Sequence, residues 1–147
     1  MRTARVELDA ASSFVSSAPL NRKLTNGLTR RRRNEASGRW AEWIAAAVLI
    51  FTGHRVLARR VRTGRGEIDI VAVRGKRLAF VEVKFRQTAA SAEAAVTPRE
   101  ARRLAEAAAS WVRNHAKYRD YVRGFDRFEV APSGHLRHAK DALAPLH

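Results

Sequence analysis

The sequence predicts an α/β protein, a sheet covered on both faces by helices, with a charged pocket at one end of the sheet. Three observations carry this. Two successive strand-like runs, Gly66-Glu67-Ile68-Asp69-Ile70-Val71-Ala72-Val73 and Leu78-Ala79-Phe80-Val81-Glu82-Val83-Lys84, are largely apolar on both faces, as strands buried from both sides are. An amphipathic helical pattern precedes the pair and another follows it. The charged residues Glu67, Asp69, Glu82 and Lys84 gather at one end of the two runs, and ionised groups are costly to bury unless paired or metal-bound.

The elements follow in chain order. Residues 1–37 hold eight basic and three acidic residues, including the run Arg30-Arg31-Arg32-Arg33, with many Ser, Thr and Asn. Few apolar positions recur there, so a disordered basic extension is expected. It lacks the continuous apolar stretch of a signal peptide. One dense domain is expected over 38–147. Ser37 can cap a helix over 39–51, with Trp40, Trp43, Ile44, Ala47, Val48 and Phe51 as its apolar stripe and Gly53 ending it. Residues 54–62, with Val56, Leu57 and Val61, form a first strand, followed by the basic loop Arg62-Thr63-Gly64-Arg65-Gly66.

After the paired runs, Phe85-Arg86 leads into an Ala/Ser/Thr-rich loop through Val96. Thr97-Pro98-Arg99-Glu100 reads as a capping box with Pro at the first helical position. The helix it opens runs to about residue 116 and turns Ala101, Leu104, Ala105, Ala108, Trp111 and Val112 inward. Arg99, Arg102, Arg103 and Arg113 fall mostly outward. Residues 125–131 form another strand, Pro132-Ser133-Gly134 turns it, and Leu136 starts a short edge strand. His135 and His138, just past that turn, are expected on the surface.

The central hairpin sets the chemistry. A two-residue loop at Gly75-Lys76 with Gly first suits a type II′ turn. Position 74 then pairs with 77, Asp69 lies opposite Glu82, and Glu67 lies opposite Lys84. Glu82 and Lys84 share a face, roughly 6.6 Å apart along the strand. A slip of one residue would send Asp69 and Glu82 to opposite faces. Opposed carboxylates without a cation raise one another's pKa, whereas Mg²⁺ takes oxygen ligands at roughly 2.0–2.1 Å and suits phosphate chemistry. Lys84 would stand beside a metal-bound water as a point charge for phosphate or as a proton partner. Cross-strand ion pairing on a surface hairpin is the plainer use of these charges. Glu42 has two readings as well: an ion pair with Arg39 on the solvent edge, or a third carboxylate reaching the pocket.

The chain of 147 residues carries 29 Lys+Arg against 14 Asp+Glu, a formal charge of +15. Such an excess favours a polyanion, because neutralised phosphates release counterions. Arg62 and Arg65 of the basic loop, with Arg86, are the candidate phosphate contacts. No apolar run approaches the length of a membrane-spanning helix. Zero cysteines exclude disulfides and thiolate zinc sites and fit a cytoplasmic setting.

Gly38-x-x-Ala41-Glu42-x-x-Ala45, the two central runs with Phe85-Arg86, and Arg127-Phe128-Glu129-Val130 together resemble the YraN family of bacterial proteins, uncharacterised protein family 0102, over about residues 38–140. That family is similar to restriction-endonuclease-like nucleases, most closely to archaeal Holliday-junction resolvases. The resemblance implies a mixed sheet between helices and a divalent-metal site for Mg²⁺ or Mn²⁺. Asp69 and Glu82 would be ligands with the Val83 carbonyl as a third, Lys84 would be catalytic, and Glu42 an additional acid. Two residues depart from the family pattern: Glu100 stands where a lysine is usual, and Glu129 where an aspartate is. The expected function is a metal-dependent nuclease hydrolysing phosphodiester bonds in branched or single-stranded DNA, with a homodimer allowed. The alternative is a non-catalytic nucleic-acid-binding module with a silent site.

Overall fold

The computed structural model describes residues 18–86 and 95–145, with side chains from residue 35 onward. The chain divides after Ala36 into two units; the second holds all the strands. In order, the elements are helix α1 (Ala18–Phe51), strands β1 (Arg55–Thr63), β2 (Gly66–Arg74) and β3 (Arg77–Phe85), helix α2 (Pro98–Arg113), a 3₁₀ turn at Ala116–Tyr118, and strands β4 (Val122–Val130) and β5 (Leu136–Ala139). The five strands lie in the order β1-β2-β3-β4-β5. All neighbours are antiparallel except β3 and β4, which are parallel. A parallel neighbour needs a crossover, and α2 lies on it. This is the mixed α/β sheet expected.

Local chemistry explains the boundaries. Gly75 has φ 58° at the first position of the β2–β3 turn, and the register is Arg74↔Arg77 through Ile70↔Val81 as the turn dictates. Gly53, at φ 92°, closes α1: its N–H donates to Ile50 O and that of His54 to Leu49 O, the paired bonds of a Schellman end. Thr97 caps α2, accepting from Glu100 N while Glu100 Oε2 accepts from Thr97 N at 2.9 Å. The capping box holds.

Three expectations are corrected. First, α1 does not start under a Ser37 cap; it is helical from Ala18. Its Leu, Lys, Arg and Ala are good helix formers, and Pro19 sits at the start where its missing N–H does no harm. Residues 1–17 of the expected extension, the side chains of Arg30 to Arg33, and the loop over 87–94 lie outside the described residues. Second, α1 buries Ala41, Ala45, Ala46 and Leu49, while Trp40, Trp43, Ala47, Ile50 and Phe51 face solvent. Small alanines let the helix approach the sheet closely, and the tryptophans are too large for that interface. Third, Ile68 packs with Val71, Val73, Leu78 and Phe80 against Leu104, Ala108 and Trp111 of α2. Ile70, Ala72, Ala79 and Val81 face Ala41, Ala45 and Leu49 of α1. Strict period-two alternation along the β2 run predicts one face for Ile68, Ile70 and Ala72; Ile68 and Ile70 do not share a face, and the alternation breaks at Asp69.

Candidate functional site

The break at Asp69 builds the site. On β1 the residue between Arg59↔Ile70 and Val61↔Ile68 is Arg60, and it has φ 51°, a left-handed conformation unusual for a non-glycine residue. On β3 the ladder with β2 ends at Ile70↔Val81. Asp69 thus loses its regular partners on both sides. Its Oδ2 instead accepts the Val83 N–H at 2.7 Å, a backbone donor that would otherwise lack a partner on β2.

Asp69 lines a pocket of about 300 Å³ with Gly66, Glu67, Glu82, Arg103 and Leu104. Its carboxyl is pushed up to about 6, chiefly by burial; the Val83 hydrogen bond and Lys84 pull it down, and Glu42 and Glu82 push it further up. Two neighbouring carboxylates, Glu42 and Glu82, therefore act on Asp69 here. Glu42, on α1, has its Oε2 buried without a hydrogen bond. The nearest cation is Arg60, whose Nε lies 3.5 Å from that oxygen, an ion pair too long to be a hydrogen bond. Glu42 therefore pairs across to β1 and not with Arg39.

Glu82 is held differently. Its Oε1 accepts from Arg103 at 3.0 Å and lies 3.3 Å from Lys84 Nζ. Lys84 Nζ is also 3.8 Å from Glu100 Oε1, the oxygen that the capping box leaves over. Gly66, at φ 143°, makes room for the Arg103 stem, whose Cγ would lie 3.3 Å from an added Cβ. Beside Glu82 and Lys84 on the next strand stand Arg127 and Glu129, both buried, with Nε and Oε1 3.4 Å apart.

Asp69 and Glu82 thus share a pocket, with Lys84 and Glu42 within its electrostatic reach. Val83 contributes its N–H. Among the described residues no three His, Cys, Asp or Glu side chains close up tightly enough to enclose a metal. The donor chemistry nevertheless suits a hard cation: the set is oxygen-only, buried Glu42 Oε2 accepts no hydrogen bond, and Asp69 is under like-charge repulsion. Glu67 does not meet Lys84; it pairs with Arg62 at 2.9 Å in the open. Arg65 is exposed in the β1–β2 turn, where its N–H donates to Thr63 Oγ1. Arg86 follows β3, with its N–H on Val130 O.

Sequence reasoning missed Arg60 and Arg103. Neither a Gly nor a Pro marks the kink at Arg60, whereas Gly66 did mark a close approach whose partner only the fold reveals. It also missed a second polar cluster. Asp126, fully buried, is gripped by Arg77 through two bonds, by His138 Nε2 at 2.8 Å and by Asp141 N–H. His138 is therefore half-buried in that cluster and is not a surface residue. A larger cavity of about 540 Å³ lies along α2 and Ala142 to Pro145. Its lining is mostly Ala, Val and Pro, and it gathers none of the carboxylates above.

Among the described residues no helix is long and apolar enough to cross a membrane. The profile of Uncharacterised protein family UPF0102 matches residues 41–131. A UPF0102 protein of Maricaulis maris is 42% identical over 119 residues, 80% of this chain and 94% of the relative. One of Rhodopseudomonas palustris is 47% identical over 103 residues, covering 70% and 76%. One from a Bradyrhizobium species is 39% identical over 137 residues, covering 93% and 96%. The profile covers β1 to β4 and both glutamates of the pocket, and these relatives align over most of their length: the chain belongs to Uncharacterised protein family UPF0102.

Proposed function

We propose that this chain is a divalent-metal-dependent nuclease that hydrolyses phosphodiester bonds in DNA of branched or single-stranded form. The reading is carried by the pocket that Asp69 and Glu82 line together, where the Asp69 carboxyl, buried near Glu42 and Glu82, is pushed up to about 6. A fold gains nothing from three carboxylates in conflict, while a site awaiting a cation does. The resemblance to restriction-endonuclease-like enzymes points the same way.

Asp69, Glu82 and the Val83 carbonyl would hold Mg²⁺ or Mn²⁺. When bound, such an ion polarises a phosphate oxygen and lowers the pKa of a coordinated water. The chain's own groups do the rest. The Val83 N–H fixes the orientation of Asp69, and Arg103 and Lys84 hold one oxygen of Glu82. Lys84 supplies a positive charge at the edge of the pocket, where a phosphate gains charge during displacement. Glu42 adds a carboxylate that can take a proton. Arg62, Arg65 and Arg86 bind the phosphate backbone, and the charge of +15 supplies sequence-independent attraction.

One observation favours a second reading, a binding module with a silent site. Glu100 stands 3.8 Å from Lys84 Nζ and draws on the charge that the reaction needs. Incubating the full chain with labelled linear, flapped and four-way DNA in Mg²⁺, Mn²⁺ or EDTA separates the two. Metal-dependent cutting supports the nuclease. Binding in EDTA with no cutting under either metal supports the module, and neither binding nor cutting overturns both.

A further inference from the structure

α1 and β1 are joined by two adjacent rungs. One is the Glu42–Arg60 ion pair. The other, a residue along on each element, is Trp43 with Arg59, whose Cζ lies 3.9 Å over the indole ring. With that guanidinium over the ring, Trp43 is still 64% exposed. A ring has two faces, so the other remains open to solvent. Trp40, three residues earlier on the same side of the helix, is 55% exposed. Tryptophan is rarely left this open without use. Arg59 has no carboxylate partner among the described residues, and its Nε is buried without a hydrogen bond.

From these we infer that Trp43, backed by Arg59, is a stacking platform for an unpaired nucleobase, next along α1 to Glu42, whose charge acts on Asp69. This rests on the nucleic-acid reading above and narrows it to substrates with single-stranded character. An indole face accepts any base, and each base–aromatic stack contributes roughly 1–3 kcal/mol. The guanidinium that fixes the ring plane also supplies a phosphate contact. Duplex DNA keeps its bases stacked inside and cannot use the platform without unstacking. The rival occupant of the exposed stripe, which Ile50 and Phe51 extend, is a second copy of the chain. Charge argues against it. Two copies would each bring +15 together, whereas a nucleic acid complements that charge.

The test uses the full chain in EDTA, so that cutting plays no part. Affinity for labelled oligo-dT is compared with that for a blunt duplex of equal length, across a salt series. Trp43→Ala should weaken oligo-dT binding roughly 5- to 150-fold, the factor matching loss of one stack. Duplex affinity and both salt slopes should stay as in the parent, since stacking releases no counterions. Trp43→Phe should restore most of the loss. Equal weakening on both DNAs, or none on either, overturns the platform and leaves the nuclease reading standing. A parent that binds neither DNA at low salt overturns both. Light scattering on the same preparations reads the rival: a dimer lost in Trp43→Ala with oligo-dT affinity unchanged assigns the surface to a second copy instead.

Discussion

Asp69 on β2 and Asp126 on β4 are the same residue type set into the same sheet, and their surroundings drive them in opposite directions. Burial would raise the Asp126 carboxyl, but bonds from His138, Arg77 and Asp141 outweigh it and hold it well below the usual carboxylate range. Burial also raises Asp69; there the Val83 N–H is opposed by Glu42 and Glu82, and the carboxyl rests at about 6. One cluster is closed and satisfied. The other is under tension that the Val83 N–H and Lys84 relieve only in part. A satisfied buried charge holds structure together, while a conflicted one is where the proposed cation would bind.

The comparison breaks most visibly at Lys84. In the proposed nuclease, Lys84→Ala should cut single-turnover cleavage on the order of 10²–10⁴-fold. Asp126→Asn should leave the rate per folded molecule near that of the parent. If the two variants lose rate alike, the division between working and structural ends is wrong.

Stability should reverse that order. Asp126→Asn leaves the Arg77 guanidinium beside a neutral group and should destabilise by about 3–5 kcal/mol in denaturant melts. Gly124→Ala should also destabilise, because its Cβ would collide with the Arg77 guanidinium that crosses Gly124 to reach Asp126. Parent-like melts for both variants would show the cluster to be ornamental.

How much of this contrast the sequence displayed depends on distance along the chain. The hairpin register followed from Gly75-Lys76, and the start of α2 from Thr97, Pro98 and Glu100, because turn and cap chemistry is local. The turn put Asp69 and Glu82 at the same end of the hairpin, although the ladder stops one rung short of pairing them, at Ile70↔Val81. The Asp126 cluster was illegible, since Arg77 lies 49 residues from Asp126 and only the parallel pairing of β3 with β4 makes them neighbours. The facing of α1 was misread because Trp40 and Trp43 dominate any hydrophobic pattern, while the alanines that carry the contact are small. Arg60 gave no warning, having neither Gly nor Pro beside it.

A smaller effect sharpens the comparison from the other side. The folded pKa of Asp69 lies above its unfolded value of 3.8. Its contribution is therefore fully present below pH 4 and is lost as pH rises through about 6. Without metal, Asp69→Asn should be more stable than the parent at pH 8 by about 1–2 kcal/mol, allowing for solvent in the pocket. The advantage should fall to about half near pH 5 and vanish only below about pH 4. Asp126 has the opposite sign: its stabilisation is present above about pH 4 and fades only in stronger acid. Thermal melts of parent and Asp69→Asn at the two pH values check this, and an Asp69→Asn chain less stable than the parent at pH 8 would remove the tension described here.

The most direct measurement is a calorimetric titration of the parent and Asp69→Asn with Mn²⁺ and Mg²⁺ at pH 5.5 and 7.5. A carboxylate must lose its proton to bind a metal. The parent should therefore bind at pH 7.5 with little proton release, and more weakly but with proton release at pH 5.5, while Asp69→Asn loses binding at both. Equal binding by parent and Asp69→Asn, or no binding by the parent at either pH, would contradict the account.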